Sequence, residues 1–196
     1  MEVFLTFDDG PQPRWTAEVL DALARAGARA TFFVLAAKAV REPGLVERTL
    51  AEGHDVQLHG NHHLRHTEHD RATIERDTDA ALTRLDLLGV RPSLWRLPWG
   101  RAATWTPEIA AGLGLRIVGW DADTHDWRGD DAAAMLDAVA GDLRDGCVVL
   151  AHDGLGPGAL RDGCGETVAL VGDLARLAAE RGLACVPVGE NGAVAR

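Results

Sequence analysis

The sequence predicts an α/β fold, a distorted or reduced (β/α) barrel with about seven parallel strands. Short runs rich in β-branched and aromatic residues alternate with alanine-rich amphipathic stretches along the chain, which is the order of repeated βα units. Units of this kind place their strands in parallel within one sheet. The chain has 196 residues, fewer than the roughly 250 of a complete eight-stranded barrel, and this favours a reduced barrel over a full one.

The predicted elements follow from the apolar pattern. Seven short apolar runs suit buried strands, and they cover residues 3–7, 31–35, 55–58, 93–96, 116–120, 148–151 and 184–188. The amphipathic stretches between them predict helices over residues 16–26, 45–52, 72–88, 131–143 and 167–181. Several of these stretches are followed by a glycine where a helix C′ residue belongs, namely Gly27, Gly53, Gly89 and Gly182. The glycine-dense residues 153–165 predict a mobile loop that can act as a lid.

Length, charge and cysteine content limit the classes to which the protein can belong. We expect one domain over residues 1–196, since the chain is too short for two comfortable cores. The formal net charge of −10 argues against a nucleic acid or an anionic membrane as partner, and no obligate protein partner is evident. Three cysteines without a C-x-x-C pair indicate neither a disulfide framework nor a thiolate metal site. No basic leader precedes the first strand, so we expect a cytoplasmic protein if Met1 is the native start, and a secreted one if a leader has been removed.

Polar residues follow five of the predicted strands at the point where each strand ends. These clusters are residues 8–9, 59–63, 96–100, 123–127 and 152–153. Because the carboxyl ends of parallel strands lie on one face of a barrel, we expect the clusters to meet at one mouth. Taken singly, each cluster also fits an ordinary role, such as a turn, a solvated loop or a surface ion pair. Their shared placement at strand ends favours a functional site.

Histidines in the second cluster have the spacing of metal ligands. His59 and His63 stand four residues apart, as do His62 and His66, which puts both rings of a pair on one side of a helical turn. Either pair can hold one metal ion. The residue after His59 is Gly60, so this is not the His-Glu-x-x-His motif in which Glu acts as the base. The base must therefore come from another cluster.

The adjacent carboxylates Asp8 and Asp9 are suited to divided roles. One carboxylate can ligate a metal ion while its neighbour accepts a proton from water. Two histidines and one aspartate leave a coordination position open, as catalytic metal sites do. Ligands of this nitrogen and oxygen type predict one divalent ion, with Zn²⁺ favoured and Co²⁺, Ni²⁺ or Mn²⁺ as alternatives.

The tryptophans divide by their position along the predicted strands. Trp95 and Trp120 fall within strands and are expected in the core. Trp99 and Trp127 follow strand ends, where a large ring can line a pocket.

The chain resembles the polysaccharide deacetylases of carbohydrate esterase family four, the NodB type. Five motifs occur in that family's order and span nearly the whole chain. They read Thr6-Phe7-Asp8-Asp9-Gly10-Pro11, His59-Gly60-Asn61-His62-His63, Arg96-Leu97-Pro98-Trp99-Gly100, Asp123-Thr124-His125-Asp126-Trp127 and Val149-Leu150-Ala151-His152-Asp153. The resemblance also implies a distorted barrel, and it selects His59 and His63, with His54 upstream, as the histidines that match the family's run.

The resemblance implies a role for each group of site residues. The implied metal ligands are Asp9, His59 and His63. The implied catalytic residues are Asp8 as general base and His152 as general acid, oriented by Arg96 and Asp126 respectively. The implied substrate contacts are Pro98, Trp99, Trp127 and Leu150, of which Leu150 and Trp127 enclose the acyl methyl group and the backbone N–H of Trp99 faces the oxyanion.

Two positions depart from the family's usual pattern. Gly60 stands where Ser or Thr is common, and Trp99 stands where Tyr or Phe usually precedes glycine. Neither residue is an implied metal ligand, so both departures bear on acceptor specificity.

The resemblance implies an enzyme that uses a metal ion to hydrolyse an N-acetyl or other short N-acyl amide on an amino sugar, releasing acetate and a free amine. One alternative is a cytosolic deacylase or deformylase of a small non-polymeric metabolite, which the missing leader favours. Another is a non-catalytic sugar-binding module, although such a module needs no intact base, acid and metal ligands. Release of acetate or formate from defined substrates distinguishes these alternatives.

Overall fold

The computed structural model describes residues 1–189 and confirms the α/β class, with helices packed around a single parallel sheet. Within this range the strands are β1 (Glu2–Asp8), β2 (Ala30–Leu35), β3 (Asp55–Gly60), β4 (Leu94–Trp95), β5 (Arg116–Ile117), β6 (Ala122–Asp123), β7 (Cys147–His152) and β8 (Ala184–Cys185). Seven strands form one path in the order β5-β4-β3-β2-β1-β7-β6, and β8 pairs with the first residues of β1. All the pairings are parallel.

The sheet curls into a distorted barrel, as predicted. β5 and β6 lie at opposite ends of the strand path, although only residues 118–121, here called the crossing segment, separate them in sequence. Five Cα steps span at most about 18 Å, so the two edges of the sheet must face each other. The Val118 N–H donates to Trp95 O on one edge over 3.0 Å, and the Asp121 N–H donates to Val148 O on the other over 2.9 Å. The crossing segment thus closes the barrel.

One predicted strand, residues 116–120, is wrong in its second half. β5 ends at Ile117, and the crossing segment then leaves the edge of the sheet. A short apolar run looks the same in sequence whether it stays in a sheet or crosses between two edges. The core prediction is confirmed for Trp95, which is 1% exposed, and wrong for Trp120, which is 36% exposed.

Helices connect most of the strands. They are α1 (Pro13–Ala26), α2 (Ala36–Ala39), α3 (Pro43–Ala51), α4 (Arg71–Leu87), α5 (Thr106–Gly112), α6 (Ala132–Ala140) and α7 (Gly165–Glu180). The sequence pattern missed α2 and α5 because four and seven residues are too few to show a helical period. Among residues 1–189, no helix has the length and apolar character that crossing a membrane requires.

Two apolar clusters lie on the two faces of the sheet. The larger packs between the sheet and the helices and includes Val3, Leu5 and Phe7 of β1. The smaller lies on the inner face, and its buried members are Phe4, Phe33, Leu94, Val118, Val148 and Val188. Because side chains alternate along a strand, Thr6 and Asp8 point to the same inner face as Phe4. The alternation therefore places the carboxylate of Asp8 on the inner face of the sheet, at the carboxyl end of β1.

Candidate active site

Strand ends bring the predicted polar clusters together at one end of the barrel. β1 ends in Asp8 and β7 ends in His152, and these two residues are register partners in the β1–β7 ladder. His59 precedes the last residue of β3. All three line one cavity, to which each of the five polar clusters contributes at least one residue.

Asp9, His59 and His63 form the one group among residues 1–189 whose ligand atoms are placed to hold a metal ion. Oδ1 of Asp9 lies 3.5 Å from Nε2 of His59 and 3.5 Å from Nε2 of His63. This oxygen is buried, and no hydrogen-bond partner for it exists in the described part of the chain. A buried carboxylate oxygen that faces two imidazole nitrogens is suited to share a divalent cation with them. Three protein ligands of this kind leave one coordination position of the cation open.

The hydrogen bonds and pKa shifts of the two histidines suit a site for a positive charge. Nδ1 of His59 donates to Arg96 O over 2.8 Å, which leaves the Nε2 lone pair facing Asp9 in the neutral ring. Burial, reinforced by the charge of His59, lowers the pKa of His63 to about 4, so this ring is neutral at pH 7. Burial lowers the pKa of His59, but Asp8 and Asp9 outweigh it and raise that pKa overall. The acidic surroundings therefore favour a positive charge between these residues.

The backbone around Asp9 is held in an uncommon conformation. Asp9 has a φ of 74°, in the left-handed region that side chains other than glycine rarely adopt. Nζ of Lys38 donates to Asp9 O over 2.8 Å and fastens this turn. On the other side, a Cβ built on Gly156 would lie 2.1 Å from Oδ2 of Asp9, so the backbone of that residue packs directly against the carboxylate.

Asp8 is oriented by a buried arginine. Nη1 of Arg96 donates to Oδ1 of Asp8 over 3.0 Å and also to the hydroxyl of Thr6. Nη2 of Arg96 donates to Gly119 O in the crossing segment over 2.8 Å. Arg96 is 0% exposed and Asp8 is 3% exposed, so the two charges are paired out of water.

His152 is held by Asp126. Nδ1 of His152 donates to Oδ1 of Asp126 over 2.6 Å, and the backbone N–H of His152 donates to Oδ2 over 2.8 Å. Burial lowers the pKa of His152, but the Asp126 carboxylate outweighs it, and Asp8 and Asp9 add to its effect. The net result raises this pKa to about 9. His152 is therefore placed as a proton donor at the cavity wall.

A family model described as polysaccharide deacetylase matches residues 1–118, more than half of the chain. The chain belongs to the polysaccharide deacetylase family. The first three of the five motifs, with Asp8, Asp9, His59, His63 and Arg96, lie inside the matched region.

Proteins similar to this member of the polysaccharide deacetylase family include sugar deacetylases. A chitooligosaccharide deacetylase of Sinorhizobium fredii is 38% identical over 160 residues, which cover 79% of this chain and 73% of that protein. The peptidoglycan-N-acetylglucosamine deacetylase PgdA of Listeria monocytogenes is 37% identical over 154 residues, covering 77% of this chain but only 32% of PgdA. The family 4 carbohydrate esterase of Streptomyces lividans, solved in complex with acetate, superimposes with a TM-score of 0.88 at 30% identity, covering 99% of this chain and 96% of that one.

The cavity of this polysaccharide deacetylase has a volume of about 320 Å³ and aromatic walls. Trp99, Trp120 and Trp127 each expose between 36% and 39% of their surface beside it, and Leu150 lines it as well. Pro98, which the resemblance implies as a substrate contact, is buried and does not line this cavity.

Trp99 is fixed from both sides. It has a φ of 62°, and its ring meets the edge of His63 with 5.1 Å between centroids. The guanidinium of Arg65 lies 4.1 Å from the centre of the indole ring. The larger ring that replaces the family's usual Tyr or Phe is thus a rigid wall next to a candidate metal ligand.

The remaining histidines of the cluster have ordinary structural surroundings. His62 is exposed and its Nδ1 lies 2.8 Å from Oδ1 of Asp77, while His66 is buried with Nδ1 3.1 Å from the hydroxyl of Thr106. Nδ1 of His54 accepts from the Ala30 N–H over 3.1 Å. The alternative ligand pair His62 and His66 therefore does not converge.

Sequence reasoning missed three features of the site. Trp120 was assigned to the core, and Arg161 and Gly156 were included only as members of a glycine-dense loop. The sequence did contain a sign that this loop packs against the site, because Gly154, Gly156 and Gly158 occupy every second position of it. Glycines spaced in this way indicate that the loop backbone lies very close to another part of the chain, which here is Asp9.

Proposed function

We propose that the chain is a metal-dependent deacetylase that hydrolyses the N-acetyl amide of an amino sugar and releases acetate and a free amine. The observation that carries the proposal is the position of Asp8 and His152. They stand opposite each other at the ends of neighbouring strands, with the Asp9, His59 and His63 group beside them in the same cavity. The named activities of the similar proteins support the choice of an acetylated amino sugar as substrate.

Asp9, His59 and His63 would hold one divalent ion, with Zn²⁺ the first choice and Co²⁺, Ni²⁺ or Mn²⁺ also suited to these donors. Such an ion polarises the amide carbonyl and lowers the pKa of a water molecule. The three donor atoms lie within 4.8 Å of one another, so little rearrangement is needed to bring them onto one ion.

Asp8 acts as the general base in this proposal. Its Oδ1 receives a hydrogen bond from Arg96, which fixes the orientation of the carboxylate while the side chain faces the cavity. A fixed carboxylate at this point can take the proton from the attacking water as the carbon–oxygen bond forms. The developing negative charge on the carbonyl oxygen would be met by the backbone N–H of Trp99.

His152 acts as the general acid. The amide nitrogen is a very poor leaving group until it is protonated, so the carbon–nitrogen bond breaks only as a proton arrives. Nδ1 of His152 is occupied by Asp126, which leaves Nε2 to donate to the nitrogen. Asp126 keeps the ring charged before the transfer, and its hydrogen bond keeps the remaining proton on Nδ1 afterwards.

The cavity walls suit a small acyl group attached to a sugar ring. Leu150 and Trp127 would enclose the acetyl methyl group, and the exposed parts of Trp99 and Trp120 would contact the sugar. Because formyl and acetyl groups differ by one methyl, an apolar wall of this kind can favour one substrate over the other by only about 1–3 kcal/mol.

The deciding experiment measures release of acetate and formate by the metal-loaded protein. Substrates are N-acetylglucosamine, chitin oligomers of graded length, peptidoglycan fragments and small N-acyl metabolites, and Asp8→Asn is the inactive control. We expect acetate from acetylated amino sugars and none from the control. Acetate or formate from the small metabolites alone would favour the metabolite deacylase. Metal binding without turnover of any substrate would favour a sugar-binding module.

A further inference from the structure

Arg161 reaches from the glycine-dense loop (residues 153–165) into the buried region behind His152. Its Nη1 lies 3.0 Å from Oδ2 of Asp126 and also donates to the hydroxyl of Thr167 in α7. Its Nη2 donates to His152 O over 3.2 Å. Only 7% of the side chain is exposed, so a loop residue places a full positive charge inside the molecule.

Both oxygens of the Asp126 carboxylate have partners. Oδ1 accepts from Nδ1 of His152, and Oδ2 accepts from the His152 N–H and from the Thr167 hydroxyl at 2.8 Å. The guanidinium of Arg161 forms an ion pair with Oδ2. Partners on both oxygens prevent the carboxylate from rotating. Its orientation sets the orientation of the imidazole ring, because the two share the 2.6 Å hydrogen bond.

Asp126 is 0% exposed, and its positive neighbours change during the proposed reaction. When His152 is protonated, Asp126 has two cations beside it. When His152 has given up its proton, Arg161 is the remaining cation in contact with this carboxylate among the described residues. A buried carboxylate without a partner is strongly destabilised, whereas an arginine keeps its charge at any working pH.

We infer that Arg161 is a positioning residue for the general acid: it holds Asp126 in place through both protonation states of His152 and couples the glycine-dense loop to the acid. The inference rests on the proposed function. It gives each of the two proton-transfer groups a buried arginine: Arg96 contacts Asp8 directly, whereas Arg161 acts on His152 through Asp126.

The test compares Arg161→Met, which removes the charge at similar length, with Arg161→Lys, which restores it. Arg14→Met, at an arginine that is 71% exposed, is the matched control. With the Zn²⁺-loaded protein and a chitin oligomer, we expect Arg161→Met to lower kcat about tenfold or more, with KM changed by less than about threefold. Arg161→Lys should recover most of that loss, and Arg14→Met should match the parent.

Proton NMR provides a readout that a purely structural role would leave unchanged. The Nδ1 proton of His152, in its short bond to Asp126, should give a downfield signal that persists in Arg161→Lys and weakens or disappears in Arg161→Met. A persistent signal in a folded Arg161→Met, or a kcat within about twofold of the Arg14→Met value, would overturn the inference. If Arg161→Met does not fold, loss of the signal in a folded Arg161→Lys overturns it. If the parent turns over no substrate, the proposed function fails, while the NMR comparison still decides the role of Arg161.

Discussion

Replacing Gly156 by alanine is a direct test of how the glycine-dense loop shapes the candidate metal site. The added Cβ would lie 2.1 Å from Oδ2 of Asp9 and 2.8 Å from its Cγ, whereas ordinary contacts begin at 3.4 Å. The overlap with the nearer atom is therefore about 1.3 Å. Asp9 has little freedom to yield, because it is 4% exposed and Lys38 holds its carbonyl.

Either the carboxylate or the loop must move, and both movements disturb the ligand set. A displacement of the Asp9 carboxylate on the order of 1 Å takes Oδ1 away from the point that faces His59 and His63. Changes in the supports of a metal ligand typically cost 10-fold to 100-fold in affinity, which is about 1.4–2.8 kcal/mol. We expect Gly156→Ala to lose Zn²⁺ affinity within that range.

The measurement is calorimetric titration of Zn²⁺ against a competing chelator, with thermal unfolding of each variant recorded alongside. Gly172→Ala is the control, because this glycine lies within α7 and a Cβ there meets nothing within 4 Å. The control should keep its Zn²⁺ affinity and gain roughly 0.5–1 kcal/mol of stability from better helix propensity. A Gly156→Ala variant that binds Zn²⁺ within about twofold of the parent would refute the reasoning.

Four further predictions concern the proposed proton-transfer groups and their supports. His152→Ala should lower turnover by a factor on the order of 10² or more with metal content unchanged, and loss of metal from that variant would show that its role is wrong. The pKa of His152 is about 9 and the acid form donates, so kcat should fall as pH rises through the alkaline limb. A bound cation offsets the negative charge of Asp9, which helps to raise the pKa of His152. With the metal bound, the midpoint of the alkaline limb should therefore lie below pH 9. Asp126→Asn removes the carboxylate that raises the pKa, so the limb should move to lower pH; an unmoved limb would contradict this cause. Arg96→Met leaves Asp8 buried without its partner and should cost about 3–5 kcal/mol in urea unfolding, and a loss below about 1 kcal/mol would count against a buried pair.

Much of the fold could be predicted because its central strands are buried on both faces. Residues 32–35 and 148–151 are apolar throughout, and the structure places strands over both. Five of the predicted strands end in polar residues, so the convergence at one mouth also follows from parallel topology. These features are local in sequence or follow from a general rule.

The features that could not be predicted depend on distant contacts. Trp120 stands shortly after the apolar pair Ile117-Val118 and so looks like part of the same strand, and only the curl of the sheet turns it toward the cavity. Arg161 follows flexible-looking loop residues, and nothing local indicates that it enters the interior to reach Asp126. A single sequence shows which residues are polar, but the partner of a buried charge appears only once the chain is folded.

The crossing segment (residues 118–121) links the support of Asp8 to the joining of the two edges of the sheet. Gly119 O in this segment accepts from Arg96, so one of the hydrogen bonds that hold this arginine beside Asp8 forms only when those edges are joined. A cut or insertion at this seam would release the arginine from outside the catalytic motifs. Residues 1–118 hold the candidate metal ligands Asp9, His59 and His63, but they lack Gly119 and His152. No fragment that ends before residue 119 therefore carries the whole candidate site.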